Sequence, residues 1–293
     1  LFFFNFQLLY SQNSFFEKGL KLFDDEQFIL AQSYFEKINT DQALFYNAEC
    51  SKILFLDDAE FLYEKLILDF PESILNHNAN IALAEINFRN KKYLKSISYY
   101  SNELSGLSDS QIFNLAYSYF ASDSLSKSKL FFKKLLNGSS SCVPAARYYY
   151  AHIAYQNKDF SSSLEWFLKL DGKTKFSDII PYYIAQIYYQ KKEYQKLILF
   201  LESKVDNIVP SRIAEVNRLL AESFYHLKNY ESAIKYFNLY FSNNNSFAKQ
   251  DYYMLAFSYF KSLDHANAVK FFEKSLGQND TLDQISSYYL GVS

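Results

Sequence analysis

The sequence predicts an all-α fold, a right-handed α-solenoid of stacked antiparallel helix pairs, and three observations carry that prediction. A small residue returns about every 34 positions, at Gly19, Ala48, Ala84, Ala116, Ala151, Ala185, Ala221, Ala256 and Gly291, the kind of period that stacked helical repeats produce. A second small residue follows at Ala31, Ala59, Ser96, Ser128, Ser163, Ala233 and Ala268, with Leu197 in that place once. One helical turn further along the same face stands a large ring, at Phe35, Tyr63, Tyr100, Phe132, Phe167, Phe237 and Phe272, with Leu201 as the exception. Small side chains let two helix axes approach to roughly 8–10 Å, and the ring fills the groove beside them. The third observation is composition: 27 Tyr and 30 Phe stand against 6 Gly and 4 Pro, a balance suited to helices with many rings between them.

Taken in order, the columns predict eight helix pairs and the first helix of a ninth over residues 12–293. The first pair is read from Gly19 and from Ala31 with Phe35. The second, from Ala48 and from Ala59 with Tyr63, is shortened. The third and fourth centre on Ala84 and Ala116, the fifth and sixth on Ala151 and Ala185, the seventh and eighth on Ala221 and Ala256. An apolar anchor opens the second helix of most pairs: Phe28, Tyr93, Leu125, Phe160, Tyr194 and Tyr230. Short polar turns precede it, as at Asn90-Lys91-Lys92, Asn157-Lys158-Asp159 and Lys228-Asn229, where the chain can reverse. Pro71, Pro144, Pro181 and Pro210 all fall between the second helix of one unit and the early first helix of the next. Gly291 marks the ninth first helix.

This pattern resembles the tetratricopeptide repeat family, most plainly at Leu220 to Phe237 (LAESFYHLKNYESAIKYF) and Leu255 to Leu276 (LAFSYFKSLDHANAVKFFEKSL). Ser51 and Asn87 stand where the family usually has an apolar residue, and the sixth pair carries leucines for its small and aromatic residues. These departures predict altered local packing, with a change of curvature near the second unit.

Composition and motifs exclude several kinds of chemistry. With 30 Lys and Arg against 32 Asp and Glu the formal net charge is −2, and no basic stripe accumulates of the sort a nucleic-acid binder needs. Lysine pairs such as Lys91-Lys92, Lys133-Lys134 and Lys191-Lys192 read as solvated turns and outer faces. The four histidines, His77, His152, His226 and His265, stand alone, and no Cys or His spacing fits a metal site. The glycines are too scattered for a phosphate-binding loop. Asp24-Asp25 and Asp57-Asp58 are explained by capping and helix dipoles. Cys50 and Cys142 lie on different pairs and are expected to be unpaired thiols. No catalytic residue, metal or cofactor is expected.

The resemblance implies an interaction surface. In the family the first helix of each pair lines the concave face, and two positions on it point into the groove. Here these are Ile81 and Phe88, Phe113 and Phe120, Tyr148 and Tyr155, Tyr182 and Tyr189, Arg218 and Tyr225, and Tyr253 and Phe260, with Glu85, Tyr117, His152, Gln186, Glu222 and Phe257 between them. A groove so lined fits an extended peptide or a partner helix, because rings give contact area at little entropic cost. Partner-binding residues are therefore expected at Phe113, Phe120, Tyr148, His152, Tyr155, Tyr182, Gln186, Tyr189, Tyr225, Tyr253 and Phe260. The alternative is that the repeat itself favours tyrosine there. The Lys, Asn and Arg of the family's carboxylate clamp are replaced by Tyr and Gln in the middle repeats.

Function is then read as a non-enzymatic protein-interaction scaffold with a protein or peptide partner. The alternative is the sensory or regulatory region of a longer signalling protein or enzyme with an output domain beyond Ser293. The apolar run Leu1 to Tyr10 is too short to span a bilayer, and residues 1–11 read as the remnant of a secretory signal. The competing reading is an apolar cap on the first pair. Leu68-Asp69-Phe70-Pro71-Glu72-Ser73 resembles the phrase that closes repeats in envelope proteins of gram-negative bacteria. A periplasmic or exported setting is expected, and otherwise a cytoplasmic one.

Overall fold

A computed structural model describes residues 14–170, 172, 175–204, 208–242, 247–277 and 280–293, and among them only helices, turns and bends occur. Residues 1–11, read from the sequence as a signal remnant, lie outside the described residues. Helices pair along the chain: α1 (14–24) with α2 (Phe28–Phe35), α3 (Asp41–Ile53) with α4 (Ala59–Asp69), α5 (Asn76–Arg89) with α6 (Tyr93–Ser101), and α7 (Asp109–Ala121) with α8 (Leu125–Leu135). They continue with α9 (Val143–Gln156) and α10 (Phe160–Leu170), α11 (Ile180–Gln190) and α12 (Tyr194–Glu202), α13 (Ile213–His226) and α14 (Tyr230–Ser242), α15 (Lys249–Lys261) and α16 (His265–Lys274), and end in α17 (Thr281–Val292). The chain divides into two compact halves between Ala146 and Arg147, within α9.

All six anchor residues named from the sequence open the second helix of their pair. The columns become the core. Ala48, Ala84, Ala116, Ala151, Ala185, Ala221 and Ala256 have no exposed surface, and the ring column holds the largest fully buried side chains, among them Tyr63, Tyr100, Phe132, Phe167, Phe237 and Phe272. Leu197 and Leu201 occupy the same buried places in the sixth pair. Contact between helices is close enough that a Cβ on Gly19 would fall 2.6 Å from a ring carbon of Phe35. Where the second small residue is serine, its hydroxyl bonds the carbonyl of the first: Ser96 to Ala84, Ser128 to Ala116 and Ser163 to Ala151, each at 2.9 Å. The two small columns thus touch, and serine satisfies its buried hydroxyl on the facing backbone.

Every turn inside a pair is built the same way. Glu26, Phe55, Lys91, Asp123, Lys158, Lys192, Lys228 and Leu263 all have φ between 57° and 66°. The next residue's N–H reaches back to a carbonyl of the last helical turn, as from Gln27 to Leu22 (2.8 Å), Lys92 to Asn87 (2.8 Å) and Asp264 to Tyr259 (3.0 Å). This is a Schellman closure, made here without glycine in any of the eight positions.

A second ring layer lies outside the columns. Tyr119 stacks on Phe131, Phe224 on Tyr236 and Tyr259 on Phe271, with centroids 5.7, 5.5 and 5.7 Å apart and planes within 10° of parallel. Lysines cover these pairs, Lys134 over Phe131 at 5.0 Å and Lys274 over Phe271 at 5.4 Å. Ser51 and Asn87 occupy the places that Tyr119 and Phe224 hold in later repeats. Both are fully buried: Gln32 donates to Ser51 (2.8 Å), and Asn87 donates to the Leu83 carbonyl (2.9 Å) while its own Oδ1 has no hydrogen-bond partner. At Ser51 a hydrogen bond from Gln32 of α2 stands where later repeats stack two rings. Cys50 and Cys142 are free thiols, and burial pushes Cys50 up to about 12, with the nearby Glu49 acting in the same direction.

Candidate interaction surface

First helices of neighbouring pairs share a face in each half. In the N-terminal half, a cleft of about 430 Å³ is lined only by residues of α1, α3, α5 and α7, including Phe45, Tyr46, Glu49, Ile81, Glu85 and Gln111. In the C-terminal half, a smaller one of about 230 Å³ is lined by Gln186, Tyr189 and Gln190 of α11, Arg218 and Glu222 of α13, and Asp251 of α15.

All eleven residues expected to bind a partner are half-buried, neither in the core nor free of it. Their contacts divide them by position. Rings at the C-terminal end of the first helix close the turn against the anchor of the second: Tyr155 on Phe160, Tyr189 on Tyr194, Tyr225 on Tyr230 and Phe260 on His265, at 5.8–6.2 Å and steeply inclined. Phe23 on Phe28 and Phe88 on Tyr93 repeat the arrangement. Rings nearer the N-terminal end lie on the ring column, Phe113 on Phe132 (5.6 Å), Tyr148 on Phe167 (6.0 Å) and Tyr253 on Phe272 (6.0 Å). Tyr148 is also stacked face-on with Phe176 at 4.2 Å, and Arg212 lies 4.9 Å above the ring of Tyr182. Phe120 packs against Tyr117 at 6.1 Å.

His152 lies between two rings, parallel to Tyr148 (6.1 Å) and edge-on to Tyr183 (5.4 Å). Burial holds its imidazole below the ordinary value of 6.5, which leaves it neutral at pH 7. The phenols of Tyr148, Tyr155, Tyr182, Tyr189, Tyr225 and Tyr253 are pushed up by burial, so all six remain protonated donors. Gln186 donates to the Tyr182 hydroxyl at 3.2 Å. Glu222, 6% exposed, accepts from the Tyr189 hydroxyl and faces Arg218 at 3.5 Å. Burial raises its carboxyl above the usual range despite those two partners.

Three rings escaped the sequence reading. Tyr46, Tyr183 and Tyr289 stack on the column ring of the preceding repeat, on Phe35 (5.6 Å), Phe167 (5.2 Å) and Phe272 (5.9 Å) respectively. Each sits two residues before the small column, and that spacing is the signal that could have found them. Glu49 was missed too. It lies in the N-terminal cleft, accepts a hydrogen bond from the hydroxyl of buried Tyr63 and pairs with Lys52 at 2.9 Å.

No protein-family model matches the chain, and no curated protein matches it. Solved structures do. A structure of PilF from Pseudomonas aeruginosa aligns with a TM-score of 0.51 at 14% identity over 73% of this chain and 97% of that one. YrrB, described as a TPR protein with an unusual peptide-binding site, aligns with a TM-score of 0.52 at 13% identity over 69% and 98%. The chain has the tetratricopeptide-repeat fold. A chain of the Naa15/Naa10 structure bound to HypK-THB covers 94% of this tetratricopeptide-repeat chain with 44% of its own length, at TM-score 0.57 and 12% identity. Among the described residues, no group of three His, Cys, Asp or Glu side chains is placed to hold a metal ion, and no helix is long and apolar enough to cross a membrane.

Proposed function

We propose that the chain is a non-enzymatic protein-interaction scaffold that takes a peptide or a partner helix along the face of its first helices. One observation carries this reading. The first helices α11, α13 and α15 line a cleft that holds the ring of Tyr189 and the buried carboxylates of Glu222 and Asp251, with Gln186, Gln190 and Arg218 offering polar groups. The neutral phenol of Tyr189 and the carboxamides of Gln186 and Gln190 can bond the backbone of a bound segment, and the half-buried rings elsewhere on the first helices add contact area. YrrB, which shares the fold, is itself described by its peptide-binding site. The partner is a protein or peptide rather than nucleic acid, in keeping with the net charge of −2. The setting we propose is periplasmic or exported.

Site-specific photocrosslinking tests the reading. A photoreactive residue replaces Gln186 or Gln190 in the cleft, or Leu168 or Leu199 on second helices, where the side chains are 43% and 61% exposed. A partner captured from an envelope extract at the cleft positions alone supports the surface. Capture of the same proteins from all four positions, or from the second helices only, refutes it.

A further inference from the structure

At the residue before the small column, the third to eighth repeats bury an apolar side chain: Leu83, Leu115, Tyr150, Ile184, Leu220 and Leu255. The second repeat has Asn47 in that place. It is 5% exposed, and its Oδ1 has no hydrogen-bond partner. A buried amide oxygen left unbonded loses its hydration with nothing in return, so a native structure that keeps one calls for an explanation.

Asn47 lines a cleft of about 330 Å³ between the loop after α2 and helix α4. The space exists because α2 stops on its own column ring, Phe35, whereas α4 continues past Tyr63 to Asp69. Phe35, Leu44 and Leu62 supply an apolar floor. The rim is mixed: the carboxylates of Glu36 and Asp58 and the ammonium groups of Lys37 and Lys65, none of which is engaged in an ion pair among the described residues. Lys37 instead rests over the Tyr34 ring at 5.4 Å. This cleft is distinct from the first-helix face, since α4 and the loop after α2 build its walls.

We propose that the cleft is a binding site for a small zwitterion, an amino acid or dipeptide with an apolar side chain. A carboxamide presents an acceptor and a donor side by side, which suits a peptide amide or an ammonium group. Rim carboxylates and ammonium groups answer the two charged ends of such a molecule, and the floor takes its apolar side chain. The volume lies at the lower end of small-molecule pockets, roughly 300–1,000 Å³. A single bridging water, with a share of about 30 Å³ of liquid, fills only a small part of it.

Titration calorimetry and thermal melting of the whole chain test the site, with glycyl-L-leucine and L-leucine as probes at about 10 mM, enough to reveal a Kd near 1 mM. The wild type binds at least one probe and melts higher with it. Asn47→Leu, which installs the residue found at Leu83, Leu115, Leu220 and Leu255, melts higher than the wild type without probe and binds at least tenfold more weakly. Lys65→Ala, at an exposed position, weakens binding while leaving the melt unchanged. Absence of heat and of any shift with both probes overturns the proposal, as does undiminished binding by Asn47→Leu. If Asn47→Leu does not fold, Lys65→Ala and Asp58→Ala decide. Asp58 makes no capping bond, and unchanged affinity in both variants overturns the site.

Discussion

The left-handed residues that close each pair are held by their turns against intrinsic preference, because an L-residue there costs roughly 1–2 kcal/mol over glycine's free access to the same backbone. Leu263 shows the effect most cleanly, since its side chain is 77% exposed and contributes little by burial. Leu263→Gly is expected to stabilise the eighth repeat by about 0.5–1 kcal/mol, after the greater freedom of glycine in the unfolded chain is subtracted. A denaturant midpoint that moves down would show that the turn is not strained. Phe55→Gly gains less, because Arg89 stacks over the Phe55 ring at 4.6 Å and that contact is lost. Histidines set an acid limit at the same scale. Burial lowers both His152 and His226 from 6.5, the latter with help from Lys192. Below that pH the unfolded chain takes up protons that the folded chain refuses, so stability is full above 6.5 and falls as the pH drops. The double variant His152→Gln, His226→Gln is expected to lose less melting temperature than the wild type between about pH 7.5 and 5.5. An equal loss in both would assign the acid sensitivity to carboxylates.

At the scale of the helix pair, packing at the small column decides stability, and first-helix rings decide how the turn closes. Ala221 has no exposed surface and packs in one cluster with Ala233 and Phe237. Ala221→Leu forces three methylene-sized groups into that contact and is expected to cost on the order of 1–3 kcal/mol; an unchanged melting curve would contradict the register. Tyr155→Ala and Tyr189→Ala should keep most of the helical circular dichroism, because the buried columns are untouched. Each removes an edge-on ring contact worth about 0.5–1.5 kcal/mol, so a modest fall in melting temperature accompanies the change. Large loss of helix from either would place the ring in the core. These elements also show what sequence could and could not reveal. Period and spacing located the columns and six of the anchors, because those positions differ in size from their neighbours, but not His265, which opens α16. The stacked rings Tyr46, Tyr183 and Tyr289 carry only a weak mark, their spacing two residues before the small column, because adjacent positions in the same helices hold Tyr or Phe as well. Asn47 was illegible for the opposite reason: one polar residue in an otherwise apolar column looks like a surface position until its burial is known.

Across the whole molecule, the repeat plan makes stability a sum of local terms, because each pair in a stack packs on its sequence neighbours. The contacts described fit that rule. Serine hydroxyls reach the partner helix of their own pair, and the stacked tyrosines reach the preceding repeat. Among the described residues, none of these contacts needs a distant part of the chain. A fragment of residues 1–138, cut in the loop before α9 so that no helix is severed, is therefore expected to fold by itself. Its helical circular dichroism per residue should match that of the full chain, less the fraying of the pair newly left at the end. Fragment 139–293 should do the same, with α9 the element most exposed by the cut. Hydrogen exchange then separates the local account from a cooperative one. In the full chain, Ala221→Leu should accelerate exchange in α11 to α16 and leave α3 to α6 at wild-type rates. Acceleration of α3 to α6 by a change at Ala221 would mean that the halves unfold as one unit, and a fragment of residues 1–138 would then fail to fold alone.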